Sequence, residues 1–213
     1  MDRFTSFARR KMSENLDVVD WPNRPARPTL GKPVLVRVYL ALPRWIARQQ
    51  LRLVARMLIA AWSDGIVPDS AWHETPQGPV CEALLDGQSV FLSFSYTENF
   101  GWIAFSIERA VGIDALHHQA FAELESVARL YFSPAKAKAV LDAENPVYAF
   151  AQAWTAREAR LKLYGRNLAE FPDSPSDGLG LCEYSLDHCG TVVTLVTDYP
   201  LLSDSLTSNK RPA

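Results

Sequence analysis

The alternation of apolar and polar residues along the chain predicts where its strands lie. Residues 34–41 read VLVRVYLA, which alternates and is rich in β-branched side chains, so they predict a strand. Further strands are predicted at residues 89–95, 101–107, 111–114, 179–186 and 191–197. Glycines and prolines between residues 65 and 79 interrupt every periodic pattern there and predict loops.

Helices are predicted where apolar residues recur every three or four positions, at residues 43–62, 121–131, 134–141 and 148–164. Pro43 and Pro134 can each occupy a first helical position, because the N–H that proline lacks has no partner there in any helix. Ser133 is a suitable N-cap for the third helix. Gly165 can end the fourth, which is long and amphipathic.

Both halves of the chain mix helices and antiparallel-type strands in similar proportion. This mixture predicts an α+β fold of two pseudo-symmetric α/β lobes, at residues 34–110 and 111–202, rather than a parallel βαβ sheet. Residues 1–33 carry four prolines and predict an N-terminal extension with a short helix at residues 4–11. Residues 203–213 predict a disordered polar tail.

Composition narrows the class of protein. Of the 213 residues, 48% are hydrophobic and 22% charged, which is typical of a folded domain and excludes disordered, collagen-like and coiled-coil chains. The apolar segment 51–62 contains two arginines and is shorter than the roughly 20 residues of a membrane span, so no membrane association is expected. The first residues lack the apolar stretch of a secretory signal, which predicts a cytoplasmic protein.

Net charge and cysteine usage exclude two further classes. The net charge of −2 argues against a nucleic-acid partner, because nucleic-acid-binding domains are usually basic. The three cysteines lack the spacing of a zinc site or a disulfide framework and predict free thiols in a reducing compartment. They are Cys81, Cys182 and Cys189.

Three residues of the fourth predicted helix could carry chemistry. Trp154, Glu158 and Lys162 follow one another at intervals of four residues and therefore share one helix face. A glutamate with a lysine one turn later is also the commonest surface ion pair. The tryptophan favours a functional interpretation, because tryptophan prefers burial and its presence places the acid and the lysine at the rim of a cleft.

Asp114 ends an apolar strand, two residues after Gly112, whose missing side chain permits another backbone to approach closely. An acid in this place is a candidate ligand for a hard cation, although an ordinary turn aspartate would look the same. Asp114 and Glu158 together would suit Mg²⁺, which takes one or two protein carboxylates and completes its shell with water and phosphate oxygens.

Four arginines at strict four-residue spacing form one positive stripe on the first long helix: Arg44, Arg48, Arg52 and Arg56. Like charges at this spacing repel each other, so a phosphate, an acidic protein surface or acids elsewhere in the fold must compensate. Ser93 and Ser95 share one face of a predicted strand and could also contact a phosphate.

Two of these segments together resemble a known family. The residues VGID at 111–114 and FAQAWTAREARLKLYG at 150–165 resemble the paired motifs of Sfp-type 4′-phosphopantetheinyl transferases, roughly VGIDxE and FxxxWTxKEAxxKxxG. LSFS at 92–95 is similar to the family's serine-histidine strand motif. The similarity covers about residues 89–170. It implies the family's fold of two lobes with the active site in the cleft between them.

The resemblance also implies an activity. These enzymes transfer the 4′-phosphopantetheine arm of coenzyme A to a serine of an apo acyl or peptidyl carrier protein and release 3′,5′-ADP. Asp114 and Glu158 would hold Mg²⁺, and Glu158 would also serve as base for the incoming serine. Lys162 would neutralise the pyrophosphate of coenzyme A. Ser93 would contact the nucleotide. By analogy the chain would act as a monomer.

The arginine stripe is assigned from charge and element order alone. Arg48, with Arg52, is the candidate for binding the 3′-phosphate of coenzyme A or, alternatively, an acidic helix of the carrier protein.

The chain departs from the family pattern at three positions of interest. Leu116 stands where the family has its second acid, Phe94 replaces the histidine of the serine-histidine motif, and Arg157 replaces a lysine. These changes keep two alternatives open. One is a catalytically weakened homologue that binds coenzyme A or a carrier protein without transfer, and the other is a metal-assisted hydrolase of nucleotide pyrophosphates.

Overall fold

The computed structural model describes residues 18–63, 65–171 and 181–201 and contains two β-sheets. The larger sheet has six strands in the order β1-β2-β6-β5-β4-β3, and all neighbours are antiparallel except the parallel pair β1–β2. Its strands are β1 (Val18–Asp20), β2 (Val34–Tyr39), β3 (Trp72–Thr75), β4 (Gly78–Leu85), β5 (Gln88–Tyr96) and β6 (Phe100–Ile107).

Helix α1 (Arg44–Trp62) covers one face of this sheet. The helix begins after Pro43, as the sequence predicts, and buries a face that includes Leu51, Leu58 and Ile59. These side chains pack against sheet residues such as Phe105 and Ile103. A short 3₁₀ turn, Asp69–Ala71, leads from this region into β3.

The smaller sheet has three antiparallel strands in the order β7-β9-β8, and helix α4 lies against β7 and β9. These strands are β7 (Gly112–His117), β8 (Cys182–His188) and β9 (Thr191–Thr197), and the helices are α2 (Leu124–Tyr131), α3 (Pro134–Leu141) and α4 (Pro146–Leu163). The predicted cap of α3 is confirmed, because Ser133 Oγ accepts a hydrogen bond from the Lys136 amide at 3.3 Å. Asn145 caps α4 in the same way.

The two sheets share a hydrophobic core. Leu35 and Trp102 of the larger sheet pack in one cluster with Ile113 and Leu195 of the smaller sheet, and all four are almost fully buried. A buried hydrogen bond of 2.6 Å between Ser106 and Tyr199 joins the same two parts of the chain. The fold is thus a mixed α+β structure, as the sequence predicts.

The structure corrects several predicted elements. The loops predicted between residues 65 and 79 are wrong in part, because Trp72–Thr75 forms β3 and β4 begins at Gly78. Pairing of β3 with β4 and of β4 with β5 compensates for their weak alternation. Strand β1 lies in a segment predicted as an irregular extension and pairs with β2. Helix α2 begins at Leu124 rather than at residue 121, and β7 continues to His117.

The helix predicted at residues 4–11 and the tail at residues 203–213 lie outside the described residues. Among the described helices, none combines the length and the apolar character that a membrane crossing requires.

Candidate active site

Asp114 and Lys162 meet where strand β7 lies against helix α4. Lys162 Nζ donates to Asp114 Oδ1 at 2.7 Å and also to the carbonyl oxygens of Ile113 at 2.9 Å and Phe94 at 3.1 Å. An ammonium group has three N–H donors, so these three acceptors satisfy all of them. The Asp114 carboxylate is buried, and this lysine supplies the positive charge that its burial requires.

Gly112 makes this meeting possible. A Cβ atom at position 112 would lie 1.9 Å from the carbonyl oxygen of Ala159, so β7 and α4 approach more closely than any side chain here would allow. Asp114, two residues further along β7, is therefore brought next to the helix turn that carries Glu158 and Lys162. The close approach predicted from the glycine is confirmed.

Two serine side chains of β5 form hydrogen bonds to β7. Ser95 Oγ donates to Asp114 Oδ1 at 2.8 Å and accepts from the Ala115 amide at 3.1 Å. Ser93 Oγ accepts from the Ile113 amide at 3.1 Å. Both serines are buried. The hydroxyl groups thus connect the two sheets directly beside the Asp114 carboxylate.

Glu158 is half-buried and lies one helical turn before Lys162. Its Oε1 atom is buried and has no hydrogen-bond partner among the described residues. Burial raises the pKa of this carboxyl group and the nearby Asp114 carboxylate raises it further, while Lys162 and Arg157 oppose the shift. A carboxylate with an unoccupied, buried oxygen is costly unless a cation or a proton donor binds to it.

The chemistry of this pair suits a divalent cation. Mg²⁺ binds through one or two carboxylates and leaves the remaining positions to water and phosphate, and Asp114 with Glu158 supplies two carboxylates. Within the described part of the chain, no cluster of three or more His, Cys, Asp and Glu residues is assembled. Leu116 follows Asp114 on the same face of β7 and packs beside the cluster that contains Phe150.

A chain of hydrogen-bonded hydroxyl groups, two of them buried, lies beside the site. Thr155 of α4 and Thr194 of β9 share a hydrogen bond of 2.7 Å, and Thr194 shares another of 2.8 Å with Ser185. Thr194 is also the β9 residue paired with Asp114. These bonds hold α4 against the sheet one turn from Glu158, which fixes the backbone that carries the two carboxylates.

The Trp154 side chain packs within an aromatic cluster rather than lining an open cleft. Its ring stacks on Phe150 with a centroid distance of 5.6 Å, and Tyr131 contacts it edge-on at 5.3 Å. The Arg157 guanidinium lies 5.7 Å from the centroid of the Tyr131 ring. The tryptophan thus anchors helix α2 to the face of α4 that also carries Glu158.

The arginine stripe of α1 lies on the other face of β5. Phe94 and Tyr96 point towards the core under α1, whereas Ser93 and Ser95 point towards β7. Arg52 forms a bidentate ion pair with Glu74 and lies 5.9 Å from the Phe94 ring centroid. The structure therefore places Arg52 on the side of the strand opposite to Ser93 and Asp114.

The other arginines of the stripe differ in their partners. Arg56 forms an ion pair with Asp69 at 2.5 Å. The charges of Arg52 and Arg56 are therefore both compensated by acidic residues outside α1. Arg48 lies 6.0 Å from the centroid of the Tyr96 ring. Burial raises the pKa of Tyr96, and the nearby arginines oppose this. Arg44 and Arg48 have no acidic partner in the described ranges.

A cavity of about 420 Å³ opens between the two sheets near the end of β7. Leu42, Arg44 and Tyr96 line it from the side of the larger sheet, and Ala115 and Leu116 line it from β7. Ala115 and Leu116 directly follow Asp114 in β7, so the cavity lies beside the strand that carries this carboxylate. Its lining combines apolar side chains with a few polar ones, among them Arg44 and Glu98, a combination typical of ligand sites.

The structure thus gathers most of the residues singled out from the sequence. Asp114, Glu158, Lys162 and Ser93 lie at the junction of β5, β7 and α4, whereas Arg48 and Arg52 lie across β5. The role of Ser95 as a hydrogen-bond donor to Asp114 was not predicted. The two-residue spacing of the serines indicates a shared face, but no local pattern indicates which element that face meets.

Comparison with known proteins agrees with the motifs. Residues 110–197 match the model of the 4′-phosphopantetheinyl transferase superfamily, and both motifs lie within this range. A protein of Synechocystis sp., named provisionally as a 4′-phosphopantetheinyl transferase, is 26% identical over 158 residues. That alignment covers 72% of this chain and 64% of the relative's length. The resemblance inferred from the two motifs is confirmed, and the matches support a transferase.

Proposed function

We propose that this protein transfers the 4′-phosphopantetheine arm of coenzyme A to a serine hydroxyl of an apo acyl or peptidyl carrier protein. The observation that carries the proposal is the meeting of Asp114, Glu158 and Lys162 at one junction, reached from both family motifs. Enzymes of the matched superfamily use coenzyme A as their substrate. The matched relative's name is consistent with the same reaction.

The reaction is a phosphoryl transfer. The serine oxygen forms a bond to the phosphorus that carries the pantetheine arm, the bond from this phosphorus to the bridging oxygen breaks, and 3′,5′-ADP leaves. Glu158 would accept the serine proton, and its raised pKa suits a base that must hold a proton during the step. Such transfers depend mainly on positioning and on charge stabilisation.

Asp114 and Glu158 would together hold Mg²⁺, since two carboxylates and one buried oxygen without a partner match what this ion takes from a protein. When bound, Mg²⁺ would stabilise the negative charge on the pyrophosphate oxygens. Lys162 would place a second positive charge at the same junction while its carbonyl partners keep its position. Ser93 would contact the nucleotide end of coenzyme A. Arg48, with Arg52, would bind its 3′-phosphate or, alternatively, an acidic helix of the carrier protein.

The two-lobe architecture is part of the same proposal. The lobes would comprise residues 34–110 and 111–202, with coenzyme A in the cleft between them. The cavity lined from both sheets near the end of β7 supports this position. The protein would act as a monomer in the cytoplasm, without a membrane or nucleic-acid partner.

The proposal is tested by intact-protein mass spectrometry of an apo carrier protein after incubation with this protein, coenzyme A and Mg²⁺. The expected result is a mass gain of one phosphopantetheine arm. Asp114→Asn and Glu158→Gln should slow the gain at least about 100-fold, since each removes a charge from the reacting centre. Glu183→Gln is the matched control, because Glu183 lies on the edge strand β8, where it forms an ion pair with Arg160 of α4. Full activity of Glu158→Gln would refute the assigned chemistry.

A second candidate function rests on Leu116 and Phe94. Both side chains pack against hydrophobic clusters where the family has an acid and a histidine, which favours a module that binds coenzyme A without transferring its arm. Calorimetry separates the two functions. Tight binding of coenzyme A that is independent of Mg²⁺, with no modified carrier, would favour the binding module. Strong dependence on Mg²⁺ would favour the enzyme.

A further inference from the structure

The end of helix α4 packs closely against the turn between β3 and β4. Gly165 follows α4 in the left-handed conformation, with φ at +63°, and its amide donates to the Lys162 carbonyl oxygen at 3.1 Å. A Cβ atom at position 165 would lie 2.6 Å from Pro76 Cβ and 2.7 Å from the Pro76 carbonyl carbon. Position 165 therefore excludes a side chain for two separate reasons, its backbone conformation and its contact with the turn.

The same turn packs against strand β5 through a second glycine. A Cβ atom on Gly78 would collide with the Leu92 carbonyl oxygen and would lie 4.0 Å from Ser93 Cα. Thr75 Oγ1 donates to the Gly78 carbonyl oxygen at 2.6 Å, so the turn is closed by its own hydrogen bond. Residues 75–78 thus form a closed turn that contacts α4 on one side and β5 beside Ser93 on the other.

Strand β5 in turn contacts α4 through Lys162, whose Nζ donates to the Phe94 carbonyl oxygen at 3.1 Å. Three contacts therefore connect α4, the turn and β5 in a closed set, which we name the α4–turn–β5 contacts: Gly165 with Pro76, Gly78 with Leu92, and Lys162 with Phe94. All three involve backbone atoms of the turn or the strand. Because a closely packed interior transmits strain, a displacement at one contact is passed to the others.

We infer that Gly165 is a positioning residue for the proposed reaction, because it lets the β3–β4 turn lie against α4 and so fixes Ser93 and Lys162 relative to each other. A side chain at position 165 would push the turn away from α4 and move β5 with it. Lys162 would then lose its alignment with the Phe94 carbonyl oxygen. The identity of the ligand, coenzyme A, rests on the proposed function, whereas the α4–turn–β5 contacts do not.

The test compares Gly165→Ala with the matched control Gly87→Ala. Gly87 has φ at +78°, and an added Cβ atom there meets no atom of the described residues within 4 Å, so the control has the backbone strain without the collision. We expect KM and Kd for coenzyme A to rise about tenfold in Gly165→Ala, the effect of one weakened hydrogen bond to a charged group. KM for the carrier protein should stay unchanged, and Gly87→Ala should change none of these constants.

A purely structural role of Gly165 would give a different result. Partial unfolding reduces the concentration of active protein, so it lowers the apparent kcat and leaves both KM values as they are. Thr75→Val loosens the turn without a collision and tests the same coupling if Gly165→Ala does not fold. It should raise the Kd for coenzyme A several-fold, and an unchanged Kd would overturn the inference.

Urea unfolding without any ligand provides a second readout. If Gly165→Ala displaces β5, it also weakens the hydrogen bond from the Ile113 amide to Ser93 Oγ. Adding Ser93→Ala should then lower the urea midpoint by less than Ser93→Ala does alone. The same substitution combined with Gly87→Ala should give the sum of the two single effects.

The outcomes separate this inference from the proposed function. Unchanged KM and Kd for coenzyme A in a folded Gly165→Ala protein overturn the positioning role. If the wild type binds coenzyme A but modifies no carrier, the proposed function fails, and the Kd values still decide on Gly165. If the wild type does not bind coenzyme A at all, the urea midpoints decide, since additive shifts overturn the inference and a shift below the sum supports it.

Discussion

Glu158 combines a buried oxygen that lacks a partner with a neighbouring negative charge. Burial disfavours its charged form, and Asp114 does so as well, so the pKa of Glu158 lies above its ordinary value. The same two features that make the side chain unfavourable for stability suit it to hold a proton or a cation. Perturbed carboxyl groups of this kind cluster at functional sites.

This pKa shift predicts the pH dependence of stability. Because the folded-state pKa of Glu158 is raised, the native state binds more protons than the unfolded state between the unfolded value of about 4.5 and the folded value. Stability contributed by the protonated group is present below pH 4.5 and is lost as the pH rises through the folded-state pKa. Relative to the wild type, Glu158→Gln should therefore gain stability as the pH is raised from 4 to 7.

The measurement is the difference in Tm between the two proteins across this pH range in metal-free buffer. Other titrating groups contribute to both proteins and cancel in the difference. A constant difference in Tm would contradict the shift.

Added Mg²⁺ should raise the Tm of the wild type at pH 7 and leave Glu158→Gln nearly unchanged, because a ligand stabilises only the state that binds it.

Ser93 and Ser95 provide a second prediction at the residue scale. Each alanine variant leaves a buried β7 amide without its acceptor, so each should lower the free energy of unfolding by about 1–3 kcal/mol. Only Ser95 also donates to Asp114. Ser95→Ala should therefore reduce kcat by about tenfold as well, since one hydrogen bond to the charged group is lost.

Urea unfolding and transfer kinetics check the serine pair. If Ser93 contacts the nucleotide as proposed, Ser93→Ala raises KM for coenzyme A and leaves kcat nearly unchanged. Equal kinetic effects of the two variants would contradict these separate roles. They would mean that both hydroxyl groups affect transfer only through the hydrogen bonds that connect the two sheets.

At the scale of elements, periodic patterns predicted the parts of the fold that local chemistry determines. Strand β2, helices α1 and α3 and the hairpin β8–β9 follow from alternation, proline at the first helical turn and glycine or polar turns. Strands β3 and β4 could not be predicted in this way. Their residues include charged side chains and one proline, and they become strands because β4 pairs with the edge of β5 and β3 pairs with β4.

The candidate site likewise combines features that local sequence determines with features that depend on tertiary contacts. The spacing of Glu158 and Lys162 on one helix face and the glycine before Asp114 are local features and could be predicted. The serine bonds depend on how β5 meets β7, and the ion pairs of Arg52 and Arg56 depend on acids in or beside the unpredicted strand β3. Both are tertiary contacts between segments whose relative position no short motif specifies.

At the scale of elements, a substitution of Gly112 tests the close approach of β7 and α4. Gly112→Ala would place a Cβ atom 1.9 Å from the Ala159 carbonyl oxygen, which forces β7 and α4 apart. We expect a loss of at least about 2 kcal/mol in the free energy of unfolding, because an overpacked contact against backbone cannot relax through a rotamer change. Transfer should fall further than stability explains, since Asp114 would move away from the helix that carries Glu158.

Gly65→Ala is the matched control. Its added Cβ would have its nearest neighbour, the Ser63 carbonyl oxygen, at 3.7 Å, an ordinary contact. Chemical denaturation and the carrier assay on both variants give the comparison. A Gly112→Ala protein as stable and active as Gly65→Ala would show that the β7–α4 approach can widen without consequence.

At the scale of the whole molecule, the segment that matches the superfamily shares its hydrophobic core with the larger sheet. Residues 110–197 include both motifs, yet the core around Ile113 and Leu195 is completed by Leu35 and Trp102 of the larger sheet. Polar bonds cross the same boundary, among them the contact of Lys162 with the Phe94 carbonyl oxygen. The site is therefore a property of the joined sheets rather than of either one.

A fragment of residues 110–213 should consequently lack a cooperative thermal transition. Without the larger sheet, the apolar side chains of β7 and β9 that face it would be exposed to water, and the half-buried Lys162 would lose one of its three acceptors. Differential scanning calorimetry and binding of a hydrophobic dye measure both consequences, with the full-length chain as the control. Coexpression with residues 1–109 should restore a single transition, because the missing half of the core is then supplied in trans. A sharp transition in the fragment alone would mean that α4 and the three-stranded sheet form an independent core, and the junction that carries Asp114 would then be an interface between two separately stable units.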